Sequence, residues 1–290
     1  MRHELNLWVA GGDLRQAELA QLLAADGHTV HTWALEGHGP LAGVQMETDS
    51  AGVELADCLI LPLPAEEEGG LLHAPLSDQP RKLEELLSPL RPGQLVCAGM
   101  VGPALTALAA GRQLILQDYF AREELAVANA VPTAEGAIQI ALEELPITLN
   151  GARVLVIGFG RVGKALSQRL AGLGAKVSVA ARKWSDLAWA ESCGYCGEQT
   201  EHLAGWLCGY DLVVNTVPAP VLGLTELADL KPGCLVIDLA SKPGGVDFEA
   251  AARLGVKAIW ALSLPGKVAP VTAGRCIQTT IYNILQELGV

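Results

Sequence analysis

Uninterrupted apolar stretches are short throughout this chain of 290 residues. None reaches the ~18 residues of a membrane span, and the first residues hold no apolar signal core. Cytoplasm is therefore the expected compartment. Positive charge is also scarce: 20 Lys and Arg stand against 32 Asp and Glu, a net charge of -12. Such a balance argues against a nucleic-acid partner and favours a soluble surface. It leaves room for an anionic small molecule, because a local cluster of cations overrides a global sum. Histidines are few, and His3, His28, His31, His38, His73 and His202 form no HExxH or comparable array, so no metal is expected. The cysteines at 58, 97, 193, 196, 208, 234 and 276 are scattered and odd in number, which suits reduced, mostly buried thiols. Only Cys193-Gly194-Tyr195-Cys196 brings two close together. No second ligand pair completes a zinc spacing, and Gly194 fits the position just past a helix end.

What the chain has instead is a repeated alternation of strand and helix. Leu5–Ala10 reads as a strand that breaks at Gly11-Gly12-Asp13, and Leu14–Ala25 as an amphipathic helix. Strands at 28–33, 58–61, 94–98 and 113–116 follow, with helices at 82–87 and 103–110. Residues 66–80 are polar, punctuated by Gly and Pro, and long enough for a functional loop. Pro132-Thr133-Ala134-Glu135-Gly136 reads as a connection before an apolar helix, Ala137–Leu145. A second set of strands carries Arg153–Ile157, Ala175–Ala181, Asp211–Asn215 and Cys234–Asp238, and a last helix, Ala273–Leu288, has one apolar stripe. The fold class expected is α/β: two doubly wound, Rossmann-like domains with mainly parallel sheets, joined by two linker helices around a cleft. Residues 1–128 form a flavodoxin- or Rossmann-like substrate domain, onto which helix 272–290 packs back. Residues 129–271 form the dinucleotide-binding domain.

The binding assignment rests on Gly158-Phe159-Gly160-Arg161-Val162-Gly163 in its setting. A β-branched strand precedes it and a helix follows, as a dinucleotide fingerprint requires. The first Gly permits the tight turn, the second lets the backbone approach a pyrophosphate, and the third brings helix close to strand. The diphosphate then sits on the free N–H groups of the helix. At the end of the next strand an NAD site wants a carboxylate for the ribose hydroxyls. Ala181-Arg182-Lys183 stands there instead, and a guanidinium holds a 2′-phosphate through paired donors. NADP is the expected cofactor. Two solvated surface cations are the plainer alternative.

In open α/β sheets ligands lie beyond the carboxyl ends of the strands. Asn215, Thr216, Val217 and Pro218, then Leu239, Ala240 and Ser241, then Leu264 and Pro265, are expected to pass along the nicotinamide half. Candidate substrate contacts are Asp13, Arg15, Thr133, Ser241 and Lys242. Arg15 can grip a carboxylate bidentately, and Lys242 supplies a second cation. Against these roles, Asp13 suits a helix N-cap and Arg15 an exposed helix-surface charge. A 2-hydroxyacid dehydrogenase needs a His acid/base in its second domain, and no His follows His202. No proton acceptor is identifiable from sequence.

These blocks carry a resemblance. Gly11-Gly12-Asp13-Leu14-Arg15-Gln16, Pro132–Gly136, Gly158–Gly163, Asp238-Leu239-Ala240-Ser241-Lys242-Pro243-Gly244-Gly245 and Leu264-Pro265-Gly266 with Ala269-Pro270 together resemble the dipicolinate synthase A subunit family across essentially the whole chain. Two positions depart from that pattern: Lys242 stands where Arg is expected and Lys183 where a small hydroxyl residue is expected. Lys keeps the charge but loses the planar fork. The resemblance implies NADP-dependent oxidation of dihydrodipicolinate to dipicolinate, a branch from lysine biosynthesis in the mother-cell cytoplasm of sporulating bacteria. Besides the small dicarboxylate substrate, it implies a partner, a flavoprotein-like B subunit; a homo-oligomer is expected as well. The alternatives are an NADP-binding regulatory or scaffold subunit without chemistry of its own, and another NADP-linked dehydrogenase of a small carboxylate.

Overall fold

A computed structural model describes residues 4–290; the expectation for His3 falls outside them. The chain divides into two compact units, Met1–Ala128 with Ala269–Val290, and Asn129–Val268.

In the first unit the elements are β1 (Asn6–Ala10), α1 (Leu14–Ala25), β2 (Thr29–Trp33), β3 (Gln45–Met46), β4 (Cys58–Ile60), β5 (Glu66–Glu67), β6 (Leu71–Leu72), α2 (Leu83–Leu87), β7 (Leu95–Ala98), α3 (Pro103–Gly111) and β8 (Ile115–Asp118). Helix α4 (Glu123–Glu144) begins in this unit and continues into the second. The second unit follows with β9 (Arg153–Ile157), α5 (Arg161–Gly172), β10 (Lys176–Ala181), α6 (Trp184–Ser192), β11 (Cys196–Gln199), β12 (Leu212–Asn215), α7 (Leu224–Ala228), β13 (Leu235–Asp238), α8 (Phe248–Leu254), β14 (Lys257–Trp260) and α9 (Leu264–Val268). Helix α10 (Pro270–Leu288) returns to the first unit.

Each unit holds a six-stranded parallel sheet with the same winding. The orders are β3-β2-β1-β4-β7-β8 and β11-β10-β9-β12-β13-β14. Both place the switch of direction beside the first strand, between β1 and β4 and between β9 and β12, where such sheets open a crevice for ligands. The central strands are apolar on both faces, as a doubly covered parallel sheet demands. In β9, Val154 and Val156 face one core layer and Leu155 and Ile157 the other. In β1, Leu7 and Val9 divide from Trp8 and Ala10 in the same way.

Helix α10 packs on α1, and Gly274 sets how closely. A Cβ there would lie 3.0 Å from the Arg15 carbonyl oxygen and 3.1 Å from the Leu19 nitrogen. Gln278 and Tyr282 then both donate to Asp26 Oδ2, at 3.0 and 2.7 Å.

Two sequence expectations need correction here. Pro132–Gly136 is not a connection but the middle of α4, with Pro132 inside the helix. The cost of its missing N–H is offset by the small face Ala130, Ala134, Ala137 and Ala141, which is buried along its length. By length and mean hydropathy (1.3) this helix also suffices to cross a membrane, yet that face serves as core. Residues 66–80 are not all loop, because β5 and β6 pair as a short antiparallel hairpin whose Leu72 is buried. Leu264-Pro265-Gly266-Lys267, expected beyond a strand's carboxyl end, follows β14 as the short helix α9. The thiols also divide: Cys58, Cys97 and Cys234 are buried, Cys276 is intermediate, and Cys193, Cys196 and Cys208 are exposed and free.

Candidate functional site

The turn between β9 and α5 is built around two glycines that the protein itself requires. Gly158 has φ +95°, and a Cβ on it would strike the Thr216 hydroxyl. A Cβ on Gly163 would strike the Gly158 carbonyl oxygen, so this glycine lets the first turn of α5 lie against the end of β9. Gly160 is different. Its φ is -79°, and a Cβ would meet nothing within 4 Å. Nothing in the fold needs glycine there, while a group approaching the backbone from outside does.

The N-terminus of α5 fits such a group. No side chain caps it, so the N–H groups of its first turn are left for an external acceptor. In the first unit the equivalent turn is closed. The Gly12 N–H donates to the His73 carbonyl oxygen at 2.8 Å, and the Asp13 side chain caps α1 by accepting from the Arg15 N–H. A carboxylate on that helix end repels a phosphate. Topology alone does not distinguish the two units; the capping does, since only the α5 terminus leaves its first-turn N–H groups without a side-chain cap where α1 has Asp13.

Past β10, Ala181 is buried while Arg182 and Lys183 are exposed, and neither cation has a side-chain partner among the described residues. The first carboxylate beyond them is Asp186, in the first turn of α6. Phe159 is buried, Arg161 exposed and Val162 partly buried at the start of α5. Thr216 Oγ1 donates to the Ile157 carbonyl at 2.9 Å, which ties the β12 turn to the Gly-rich turn.

A buried acid that sequence reasoning passed over organises the rest of this edge. Asp238, fully buried, accepts from Asn215 Nδ2 at 2.8 Å, the Ala240 N–H at 3.0 Å and the Gly245 N–H at 2.8 Å. Asn215 also bonds both ways with the Val217 backbone. One carboxylate thus fixes the turns after β12 and β13 together, and leaves Pro218, Ser241 and Lys242 exposed on them. Leu239 is partly buried, and the Ala240 carbonyl accepts from Trp260 Nε1 at 2.9 Å. Leu264 and Pro265 open α9, where Gly136 of α4 allows close approach: its Cβ would lie 3.2 Å from Leu264 Cβ.

The substrate candidates fare unevenly. Asp13 is the N-cap of α1. Arg15 is neither a free clamp nor an exposed charge. It is buried, its Nε and Nη2 donate to Asp13 at 2.8–3.1 Å, and Nη2 also donates to the Leu63 carbonyl at 2.6 Å. Among the described residues only Nη1 is left uncommitted. Burial acts to raise the Asp13 carboxyl, and the Arg15 guanidinium outweighs it, holding the carboxyl below its ordinary value. Thr133 Oγ1 donates to the Asn129 carbonyl one turn back at 2.7 Å, so its proton is spent within α4. His73, partly buried, lies close enough to Asp13 to help lower it and meets Glu67 at 2.7 Å. The β5–β6 hairpin is what brings this pair beside Asp13.

Comparison with known proteins fits this arrangement. Residues 6–120 match the family described as the N-terminal domain of the dipicolinate synthase A subunit, and residues 125–288 match the alanine dehydrogenase/PNT C-terminal domain. The dipicolinate synthase A subunit of Bacillus subtilis is 32% identical over 287 residues, covering 98% of this chain and 97% of that one. This chain belongs to the dipicolinate synthase A subunit family. The crystal structure of the dipicolinate synthase A subunit from Bacillus halodurans superposes with a TM-score of 0.89 at 32% identity, covering 97% of each chain. A transhydrogenase from Sinorhizobium meliloti, 19% identical and covering 98% of this chain and 94% of its own, shares the fold with a TM-score of 0.72. The family thus sits on a dehydrogenase fold that takes a nicotinamide cofactor.

Proposed function

We propose that this chain is the NADP-dependent oxidoreductase subunit of a dipicolinate synthase, oxidising dihydrodipicolinate to pyridine-2,6-dicarboxylate. Membership of the family supports the reaction. The cofactor choice is carried by Arg182 and Lys183, exposed and unpaired at the end of β10 where an NAD enzyme keeps an acid. The α5 N–H groups at Arg161, Val162 and Gly163 would hold the diphosphate, and the two cations the 2′-phosphate. When bound, the nicotinamide would accept the hydride that leaves a ring carbon of the substrate, while a ring proton is released, completing the aromatic ring.

The protein's own part is binding and orientation. Lys242, exposed on the turn that Asp238 fixes, offers a cation to one substrate carboxylate, with Ser241 beside it as a hydroxyl donor. Because Asp13 already neutralises Arg15, its grip on an anion is weaker than that of a free guanidinium. This same pairing favours a second reading, an NADP-binding regulatory subunit whose partner performs the chemistry. In either reading the chain works with a B subunit, in the cytoplasm of the sporulating mother cell, where its seven thiols stay reduced.

One assay separates the readings. The purified chain, with and without the B subunit, is given dihydrodipicolinate and NADP+ while NADPH and dipicolinate absorbance are followed. Turnover by the chain alone supports the oxidoreductase reading. No turnover in either mixture removes it.

A further inference from the structure

One stretch of the second unit has a composition that the dinucleotide site does not use. From Trp184 to Leu230 there is no lysine or arginine, while Asp186, Glu191, Glu198 and Glu201 crowd its first part. Three of the six tryptophans fall in the same stretch, and they are exposed: Trp184 by 76%, Trp189 by 62% and Trp206 by 64%. Trp8 and Trp33, by contrast, are buried in the first unit. Large aromatics left in water amid unpaired acids are not a means of stabilising this fold. They are the composition of a contact surface.

The geometry between α6 and β11 gives that surface a definite recess. A cavity of about 420 Å³ opens there, walled by Trp184 and Glu191 from α6 and by Gly197 and Gln199 from β11, with His202 at its end. Gly197 keeps it open: a Cβ there would lie 3.4 Å from Glu191 Oε1 and 3.5 Å from Leu187 Cδ2. Among the described residues Glu191, Gln199 and His202 have no side-chain hydrogen bond or ion pair, and Gln199 Nε2 is shielded from water without an acceptor. β11 is also the last strand of its sheet, paired only with β10. Its outer backbone edge is therefore free to take an extended segment.

These features ask for one kind of occupant. An indole face beside a carboxylate suits a guanidinium or ammonium group, the buried Nε2 wants a carbonyl oxygen, and the free edge wants a main chain. A protein segment bearing Arg or Lys supplies all three; a small cation supplies only the first. We infer that the α6–β11 edge is the docking surface for a basic segment of the partner subunit, with one cationic side chain seated between Trp184 and Glu191. The inference rests on the two-subunit reading above and names where that partner binds. An acidic chain of net charge -12 makes a basic partner segment the complementary choice.

The test is titration calorimetry of the full chain with the purified B subunit, in low and in physiological salt. Glu191→Lys and Trp184→Ala alter the two exposed side chains that wall the recess, and NADP+ affinity serves as a control for folding. We expect each variant to weaken partner binding at least tenfold with NADP+ binding intact, and wild-type binding to fall steeply with salt. Partner binding within twofold of wild type in both variants would overturn the docking surface and leave the two-subunit reading standing. Failure of the wild-type chain to bind the B subunit overturns both. If the variants instead change self-association in sedimentation, the surface joins copies of this chain and the inference is wrong.

Discussion

Replacing Gly160 with alanine separates the needs of the fold from those of the ligand. A new Cβ meets no atom within 4 Å, and the backbone at φ -79° and ψ -160° is open to any residue. Alanine is a poorer N-cap than glycine, by roughly 1 kcal/mol. It also restricts the unfolded chain, which returns about 0.4–1 kcal/mol. The two nearly cancel, so Tm should move by no more than about 2–4 °C. The methyl group nevertheless lies on the surface that the diphosphate of the proposed cofactor would approach. NADP+ affinity should fall at least tenfold, a loss of about 1.4 kcal/mol or more. Gly163→Ala is the contrast, because its Cβ collides with the Gly158 carbonyl oxygen. It should cost about 1–3 kcal/mol of stability through overpacking, with the ligand effect secondary. Differential scanning fluorimetry reads the first quantity and calorimetric titration the second. If Gly160→Ala bound NADP+ as well as wild type, the diphosphate would not run over the start of α5, and the cradle as described would be wrong.

Other expectations follow from the pairs and thiols. Asp13→Asn keeps an N-cap but leaves Arg15 buried without its counter-charge, at a cost of about 3–5 kcal/mol near neutral pH. The folded Asp13 carboxyl lies below its ordinary value, so its contribution is present above that value and is lost as pH falls through the folded one. The gap between wild type and variant in denaturant melts should therefore close in strong acid; a gap constant with pH contradicts the pairing. Thiol labelling of the native chain at pH 8 should modify Cys193, Cys196 and Cys208 quickly. Cys58 should resist, since the Cys97 thiol beside it and burial push it up, and so should Cys234, which burial pushes up to about 12. Rapid reaction of all seven would mean the strands are not packed as described. Lys242→Ala should raise KM for the dicarboxylate at least tenfold with NADP+ affinity unchanged, as loss of a charge-assisted contact implies; an unaltered KM removes Lys242 from the site.

Much of this architecture was legible in the residues because parallel strands covered on both sides write continuous apolar runs, as in Val154–Ile157. The glycine turn was legible because two of its glycines answer to backbone packing that any such turn must satisfy. Other features depend on partners far away in sequence. Nothing around Arg15 announces that the Leu63 carbonyl, 48 residues on, will share its guanidinium. Asp238 shows itself only when Asn215, Ala240 and Gly245 converge on it. Pro132 misled because proline and glycine so close together usually end a helix; a buried alanine face overrode that local preference. Strands of two residues, such as β5 and β6, are too short to carry any period, so the placement of His73 could not be read.

Arg182 and Lys183, exposed after β10, are the residues proposed to select NADP. Titration of wild type and Arg182→Asp with NADP+ and NAD+ tests this selection most directly. Wild type should prefer NADP+, and the variant should lose NADP+ affinity far more than NAD+ affinity. Equal losses for the two cofactors, or a wild type that binds NAD+ the more tightly, would contradict it.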